Sequence, residues 1–228
     1  MVLLPEHPTQ ILPLVNGDHL TRAEFERRYA AMPHIKKAEL IEGVVYMPAA
    51  LRYRQHGQPH SDIVGWLFTY AAATPGVEVA DNPTVRLDLD NDPQPDALLR
   101  IGEAGGGQSR ISEDDYIEGA PELIVEIAAS SAACDLHEKK NAYRRNSVRE
   151  YIVWQVADRQ ISWFRLEAGT YKLISPDNDG IINSAVFPGL ALDVESLLSH
   201  DRLAVIETVR NCFGSEAHQA FIARLAQR

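Results

Sequence analysis

The sequence predicts an α/β fold, a mixed β-sheet with helices packed on it. Three observations carry that expectation. Segments of helical and strand periodicity alternate along the chain. Residues 122–129, ELIVEIAA, form an apolar run that reads as a strand buried on both faces, and helical text follows it. Three later strand-like segments succeed one another closely enough for an antiparallel meander.

Taken in order, residues 21–32 read as the first helix. Thr21 and Glu24 have capping-box spacing, Leu20 and Phe25 can form a hydrophobic staple, and Phe25, Tyr29 and Met32 recur on one face. Residues 39–47, ELIEGVVYM, read as strand with a turn or bulge at Gly43. A second helix begins near Pro59, turns Ile63, Leu67 and Tyr70 inward, and stops at Pro75-Gly76. Val85, Leu87 and Leu89 alternate with Arg86 and Asp88, which predicts a strand with one wet face. The text DNDPQP then turns the chain into a strand over 96–101. The glycine- and acid-rich stretch that follows lacks the Gly-Lys-Ser/Thr ending of a phosphate-binding loop and reads as a flexible connection. Beyond the apolar strand come a helix over 135–146, strands over 150–156, 160–166 and 171–174, and a helical tail over 203–228.

A chain of 228 residues suits one domain with a sizeable core, with or without a small appendage. Its 45% apolar and 24% charged residues are those of a soluble globular protein. No run approaches the roughly 18 apolar residues that span a bilayer, so no membrane partner is expected. The start is apolar in places but has no basic region, and Pro5, Pro8 and Pro13 interrupt it, which argues against a signal peptide. Cys134 and Cys212 imply neither a disulfide framework nor a zinc site, and a reducing, cytoplasmic setting follows. The net charge of −10 argues against a protein that coats nucleic acid indiscriminately. A local basic patch does exist: Lys139, Lys140, Arg144, Arg145 and Arg149 fall within eleven residues, as a phosphate grip or as a solvated helix face.

The informative anomaly is Glu126, set in the run Leu123-Ile124-Val125-Glu126-Ile127-Ala128. An ionised carboxylate there costs several kcal/mol unless it is paired, hydrogen-bonded or metal-bound. A buried salt bridge and a functional carboxylate both satisfy that condition. Asp96 opens a strand directly after Pro95; it either caps a turn or projects from the strand end toward Glu126. Two such hard oxygen ligands suit Mg²⁺ or Mn²⁺. On the following helix, Asp135, Lys139 and Tyr143 stand at i, i+4 and i+8 and share a face, while Lys139 and Lys140 flank the inward stripe. Either lysine can reach inward, and a simple Asp135–Lys139 helix pair is the alternative.

The texts AELIEGVVYM, QPDALLRI, GAPELIVEI, DLHEKKNAYRR, VREYIVW and FPGLALD, with His60 before a helix, occur in this order over residues 20–198. In that arrangement the chain resembles the Uma-two family of nucleases, within the PD-(D/E)xK restriction-endonuclease-like superfamily. The resemblance implies a restriction-endonuclease-like core over 20–200, with an N-terminal extension over 1–19 and a helical tail over 201–228. It implies a divalent metal at Asp96 and Glu126, favours Lys139 over Lys140 as the catalytic lysine, and matches Glu39 to a family glutamate, which either completes the metal shell or stands on a strand surface. Lys140, Tyr143, Arg144 and Arg145 are the expected substrate contacts, and His60 either touches substrate or caps a helix. Two departures stand out. The superfamily lysine two residues after the glutamate is Ala128 here, so a helix lysine must substitute. The family's Ser-Pro-Ser-Thr reads Ala129-Ser130-Ser131-Ala132, and the loop to Asp135 is one residue short. His56 and His60 are four apart, but Gly57 and Pro59 argue against one continuous helix and hence against a shared zinc site.

The expected function is hydrolysis of nucleic-acid phosphodiesters, DNA above all, by Mg²⁺- or Mn²⁺-activated water. A cut through both strands calls for two sites, which a homodimer supplies. The rival from another class is a binding module that keeps the nuclease fold without turnover. A sugar hydrolase using paired carboxylates ranks last, because few aromatics accompany the acids.

Overall fold

The computed structural model describes residues 11–47, 50–129 and 132–227. Pro5 and Pro8, and Ser130 and Ser131 of the shortened loop, lie outside them. The first helix, α1 (Arg22–Ala30), is followed by a hairpin of β1 (Glu39–Ile41) and β2 (Val44–Tyr46). Ile41 pairs with Val44, so only Glu42 and Gly43 make the connection. Both have positive φ, 52° and 75°, as a two-residue hairpin turn requires, and Gly43 adopts this at no steric cost. A π-helical segment, Tyr53–Gly57, then runs directly into α2 (Gln58–Ala72). This corrects the expected break at Gly57 and Pro59. The proline occupies the first turn of α2, where a missing N–H costs nothing.

Next come β3 (Val77–Asp81), β4 (Val85–Arg86), β5 (Ala97–Ile101), β6 (Arg110–Ile111), β7 (Ile117–Glu118) and β8 (Leu123–Ala128). The strand expected over 85–89 stops at Arg86. Asp88 accepts hydrogen bonds from Asp90 N and Asn91 Nδ2, which closes a turn and leaves Leu89 exposed. The expected flexible connection after β5 is ordered instead. β6 and β7 join β4 in a small sheet, and the Glu122 carboxylate accepts from Ile101 N and Gln108 N. The glycines there serve close approach: a Cβ on Gly107 would lie 1.8 Å from the Ile101 carbonyl oxygen.

A short α3 (Ala132–Cys134), a π-helical turn Asp135–Lys139 and α4 (Lys140–Arg145) replace the single helix expected over 135–146. The meander follows as expected in β9 (Glu150–Gln155), β10 (Gln160–Glu167) and β11 (Thr170–Ile174). A hairpin of β12 (Ile181–Asn183) and β13 (Ala191–Asp193) leads to α5 (Val194–Leu198), α6 (Arg202–Asn211) and α7 (Glu216–Ala226).

The main sheet has strand order β11-β10-β9-β8-β5-β3. β8 and β9 are parallel, and the other neighbours are antiparallel, so the sheet is mixed. A parallel pair needs a crossover, and the helical segment 132–145 supplies it. One face carries Leu99, Leu123, Val125 and Ile152 against Ile63, Trp66, Leu67 and Tyr70 of α2 and Val205, Val209, Phe221 and Leu225 of the last two helices. The opposite face carries Leu98, Ile124, Ala128, Tyr151 and Val153 against Tyr143 of α4. By alternation Glu126 belongs to this second face, under the crossover. A third cluster, with Leu14, Phe25, Ala38, Leu40 and Val45, fastens α1 to the β1–β2 hairpin. The expected capping box at Thr21 is not made: Thr21 forms no side-chain cap bond, and Glu24 pairs with Arg27 and Arg28 instead.

Candidate active site

Asp96 and Glu126 come together through strand register. Ala97 pairs with Val125 across β5 and β8, and one step further the two acidic positions face each other. Both line a cavity of about 710 Å³, together with Glu39, Lys36, Lys37, Arg52, His56, Asp135 and Lys139. Each carboxylate is recessed: Glu126 is 2%, Asp96 4% and Glu39 5% exposed.

Asp96 Oδ2 accepts from Ile127 N at 2.7 Å, and Oδ1 lies 3.2 Å from His56 Nε2 and 3.5 Å from Lys37 Nζ. Burial alone would raise its pKa, but the bond from His56, the Lys37 charge and the Ile127 N–H together hold it well below the usual carboxylate range. Glu126 behaves oppositely. Burial, with Asp96, Asp135 and Glu39 adding their repulsion and Lys139 opposing, raises its pKa above the ordinary glutamate value. Its Oε1 accepts from Lys139 Nζ at 3.0 Å and from Tyr143 OH at 2.7 Å. Lys139 Nζ also stands 2.9 Å from Glu39 Oε1 and 3.8 Å from Asp135 Oδ1. Although burial works against its charge, Glu126, Glu39 and Asp135 raise the Lys139 pKa well above the ordinary lysine value. Glu39 is held in turn by Gln94 N at 2.8 Å.

The π-helical turn explains how one helix face delivers three buried groups. An α-helix drifts by about 40° over four residues, and the wider π turn gives part of that drift back. Asp135, Lys139 and Tyr143 are accordingly all buried.

The other expected contacts are placed elsewhere. His60 Nε2 bonds the Asp96 backbone oxygen at 2.8 Å and the Asp81 carboxylate at 2.9 Å, so it braces the strand end. The Lys140 ammonium lies 3.6 Å from the centre of the Phe164 ring. Arg144 donates to Gly169 O, Arg145 pairs with Glu42 at 3.1 Å, and Arg149 donates to Gln108. None of these lines the cavity. Sequence reasoning missed His56 and Lys37. The His56-x-x-x-His60 spacing is a usable signal, because the helix runs on through Gly57 and Pro59. Nothing in the sequence ties Lys37 to an aspartate 59 positions away.

Two carboxylates facing one cavity, with Glu39 behind Lys139, are hard oxygen donors of the kind Mg²⁺ or Mn²⁺ takes. Burial first, and then the nearby Asp96, Asp135 and Glu39, raise the Glu126 pKa, and a divalent ion would offset that repulsion. Among the described residues, no group of three or more His, Cys, Asp or Glu side chains is placed to hold a metal by itself. Mg²⁺ does not need one, since it keeps several waters and takes one or two carboxylates plus substrate phosphate. The donors therefore fit the ion.

The profile of the Uma2 family, described as "Putative restriction endonuclease", matches residues 22–195, which include Glu39, Asp96, Glu126 and Lys139. The chain belongs to the Uma2 family. A crystal structure from Anabaena variabilis ATCC 29413, described as "a putative nuclease", shares the fold of this Uma2 protein: TM-score 0.59 at 14% identity, over 76% of this chain and 96% of that one. No curated protein is significantly similar to it. Among the described residues of this family member, no helix is long and apolar enough to cross a membrane.

Proposed function

We propose that this Uma2 protein is a divalent-metal-dependent nuclease hydrolysing phosphodiester bonds of nucleic acid, DNA in the first instance. The observation that carries the proposal is the meeting of Asp96 and Glu126 in one cavity, with Lys139 3.0 Å from Glu126. Asp96 and Glu126, assisted by Glu39, would hold Mg²⁺ or Mn²⁺. When bound, such an ion polarises a phosphoryl oxygen and eases deprotonation of water. The chain's own groups do the rest. His56, Lys37 and Ile127 N keep Asp96 ionised and oriented. Tyr143 fixes the Glu126 carboxylate. The Lys139 ammonium, held between Glu39 and Glu126, offsets charge that develops on the phosphate. What supports Lys139 over Lys140 is this placement, since Lys140 lies against Phe164. All these groups fall within residues 20–200, the span proposed as the catalytic domain.

The test is direct. Asp96→Asn and Glu126→Gln each abolish Mg²⁺-dependent cleavage of an oligonucleotide while circular dichroism shows a folded protein. Cleavage retained in both purified variants removes the assignment. The second reading, a binding module without turnover, is favoured by one observation: Glu126 already has a buried partner in Lys139, so the fold can accommodate it without metal. Calorimetric binding of Mg²⁺ and short DNA with no product after long incubation would establish that reading instead.

A further inference from the structure

We propose that the cavity accepts an unpaired nucleotide strand rather than an intact duplex. Lys36 and Arg52 hold its phosphates, and Tyr46, Met47 and Leu51 pack against its bases. The proposal rests on the nucleic-acid reading above and adds the substrate class.

Depth is the first argument. The carboxylates at the cavity floor are 2–5% exposed, so a phosphate must enter to reach them. A space of about 710 Å³ is that of a small-molecule pocket, enough for a nucleotide or two and not for two paired strands. The wall supplies the second argument. Tyr46, Met47 and Leu51 line the cavity, and Leu51 remains 64% exposed. A duplex keeps its base faces stacked inside and has nothing apolar to offer this wall. An unpaired strand presents every base face, and such faces bind apolar and aromatic side chains with little regard to sequence.

Charge supplies the third argument. Lys36 and Arg52 line the same cavity and are exposed, and among the described residues neither makes an ion pair. The cations of the other large groove are already paired with acids. A second groove of about 780 Å³ includes Arg86 and Arg110, but Arg86 pairs with Glu26 and Asp114, and Arg110 with Glu118. In a chain of net charge −10, two free cations beside the recessed acids are where a phosphate backbone is attracted. Tyr53, 72% exposed, and Arg54 continue the same segment beyond the cavity as an aromatic residue between basic ones.

The full-length protein is tested with a labelled oligonucleotide, single-stranded or annealed to its complement. Binding is read by anisotropy in Ca²⁺ and cleavage on gels in Mg²⁺. The single strand is expected to bind and be cut at least about tenfold better than the duplex, as base–aromatic contacts available only to it predict. Lys36→Glu, Arg52→Glu and Leu51→Glu change exposed side chains and leave the fold intact. Each is expected to weaken single-strand binding about tenfold, and each of the two cation variants to flatten the salt dependence by about 0.7 in log–log slope. A duplex bound and cut as well as the single strand, or unchanged binding in all three variants, overturns the proposal while leaving the nuclease reading intact. Single-strand preference without any cleavage upholds the proposal and removes the nuclease reading. Failure to bind either form overturns it.

Discussion

The Lys139 ammonium lies 3.0 Å from Glu126, and both side chains are almost wholly buried. Both line the cavity, yet so little of either is exposed that each depends on the other and on Glu39, Asp135 and Tyr143 around them. Breaking such a pair from one side leaves an uncompensated buried charge, which costs about 3–5 kcal/mol. Lys139→Met should therefore lower stability by about 3 kcal/mol in urea titrations without metal. It should also make the protein more responsive to Mg²⁺, because the ion then supplies the only strong countercharge to Glu126. Thermal unfolding with and without Mg²⁺ checks this. A smaller Mg²⁺ shift in the variant than in the wild type would argue against a metal at Glu126.

His56 acts on Asp96 from 3.2 Å and is proposed as a positioning residue. Removing it takes away the largest influence that lowers the Asp96 pKa. His56→Ala should reduce activity or Mg²⁺ affinity about 10–100-fold, the usual cost of losing a group that orients a ligand. The sign of the pH effect is fixed: Asp96 becomes harder to ionise, so the acid limb of the kcat/KM profile moves to higher pH. A lower rate with an unmoved acid limb would mean that His56 serves only packing.

The chemical pair was legible because each member breaks a local rule. Glu126 is a charge inside ELIVEIAA, and Asp96 opens a strand after a proline. Antiparallel register then brings them together without needing any long-range information beyond strand order. Lys139 was legible through its row with Asp135 and Tyr143, although the π turn that keeps the row buried leaves no periodicity signature. The surroundings of the basic cluster were not legible. A cluster of five basic residues reads as a phosphate grip or as a solvated helix face, but the partners Glu42, Gln108, Phe164 and Gly169 are remote in sequence and only the fold reveals them. The ordered loop after β5 was misread for a related reason, because glycine allows close approach as readily as it allows motion.

That loop gives a stability test away from the chemistry. A methyl group on Gly107 would sit 1.8 Å from the Ile101 carbonyl oxygen, so backbone must move. The same stretch is tied to β5 and β8 through Glu122, which accepts from Ile101 N and Gln108 N. Gly107→Ala should cost about 1–3 kcal/mol, the range for overpacking. Ile101 ends the strand that Asp96 precedes, so Mg²⁺ binding by the folded variant should match wild type in calorimetry. Unchanged urea stability would contradict the close approach.

Asp92 gives stability a pH dependence of its own. It is 2% exposed, its Oδ1 has no hydrogen-bond partner among the described residues, and its backbone is fixed by Leu40 on both sides. Burial, reinforced by Glu26 and Glu39 and opposed by Arg86 and Arg22, pushes its pKa from 3.8 up to about 7. Between those values the folded chain holds a proton that the unfolded chain has released. Stability therefore falls as pH rises from about 4 to about 7, and the full penalty persists above 7. A rise of that size corresponds to at most about 4 kcal/mol, and relaxation around the buried carboxylate brings it to about 2. Asp92→Asn removes the titration. The variant should gain about 2 kcal/mol over wild type at pH 8. The advantage should shrink steadily toward pH 4 in denaturant titrations, whereas a constant difference across that range would place the strain in packing rather than in charge.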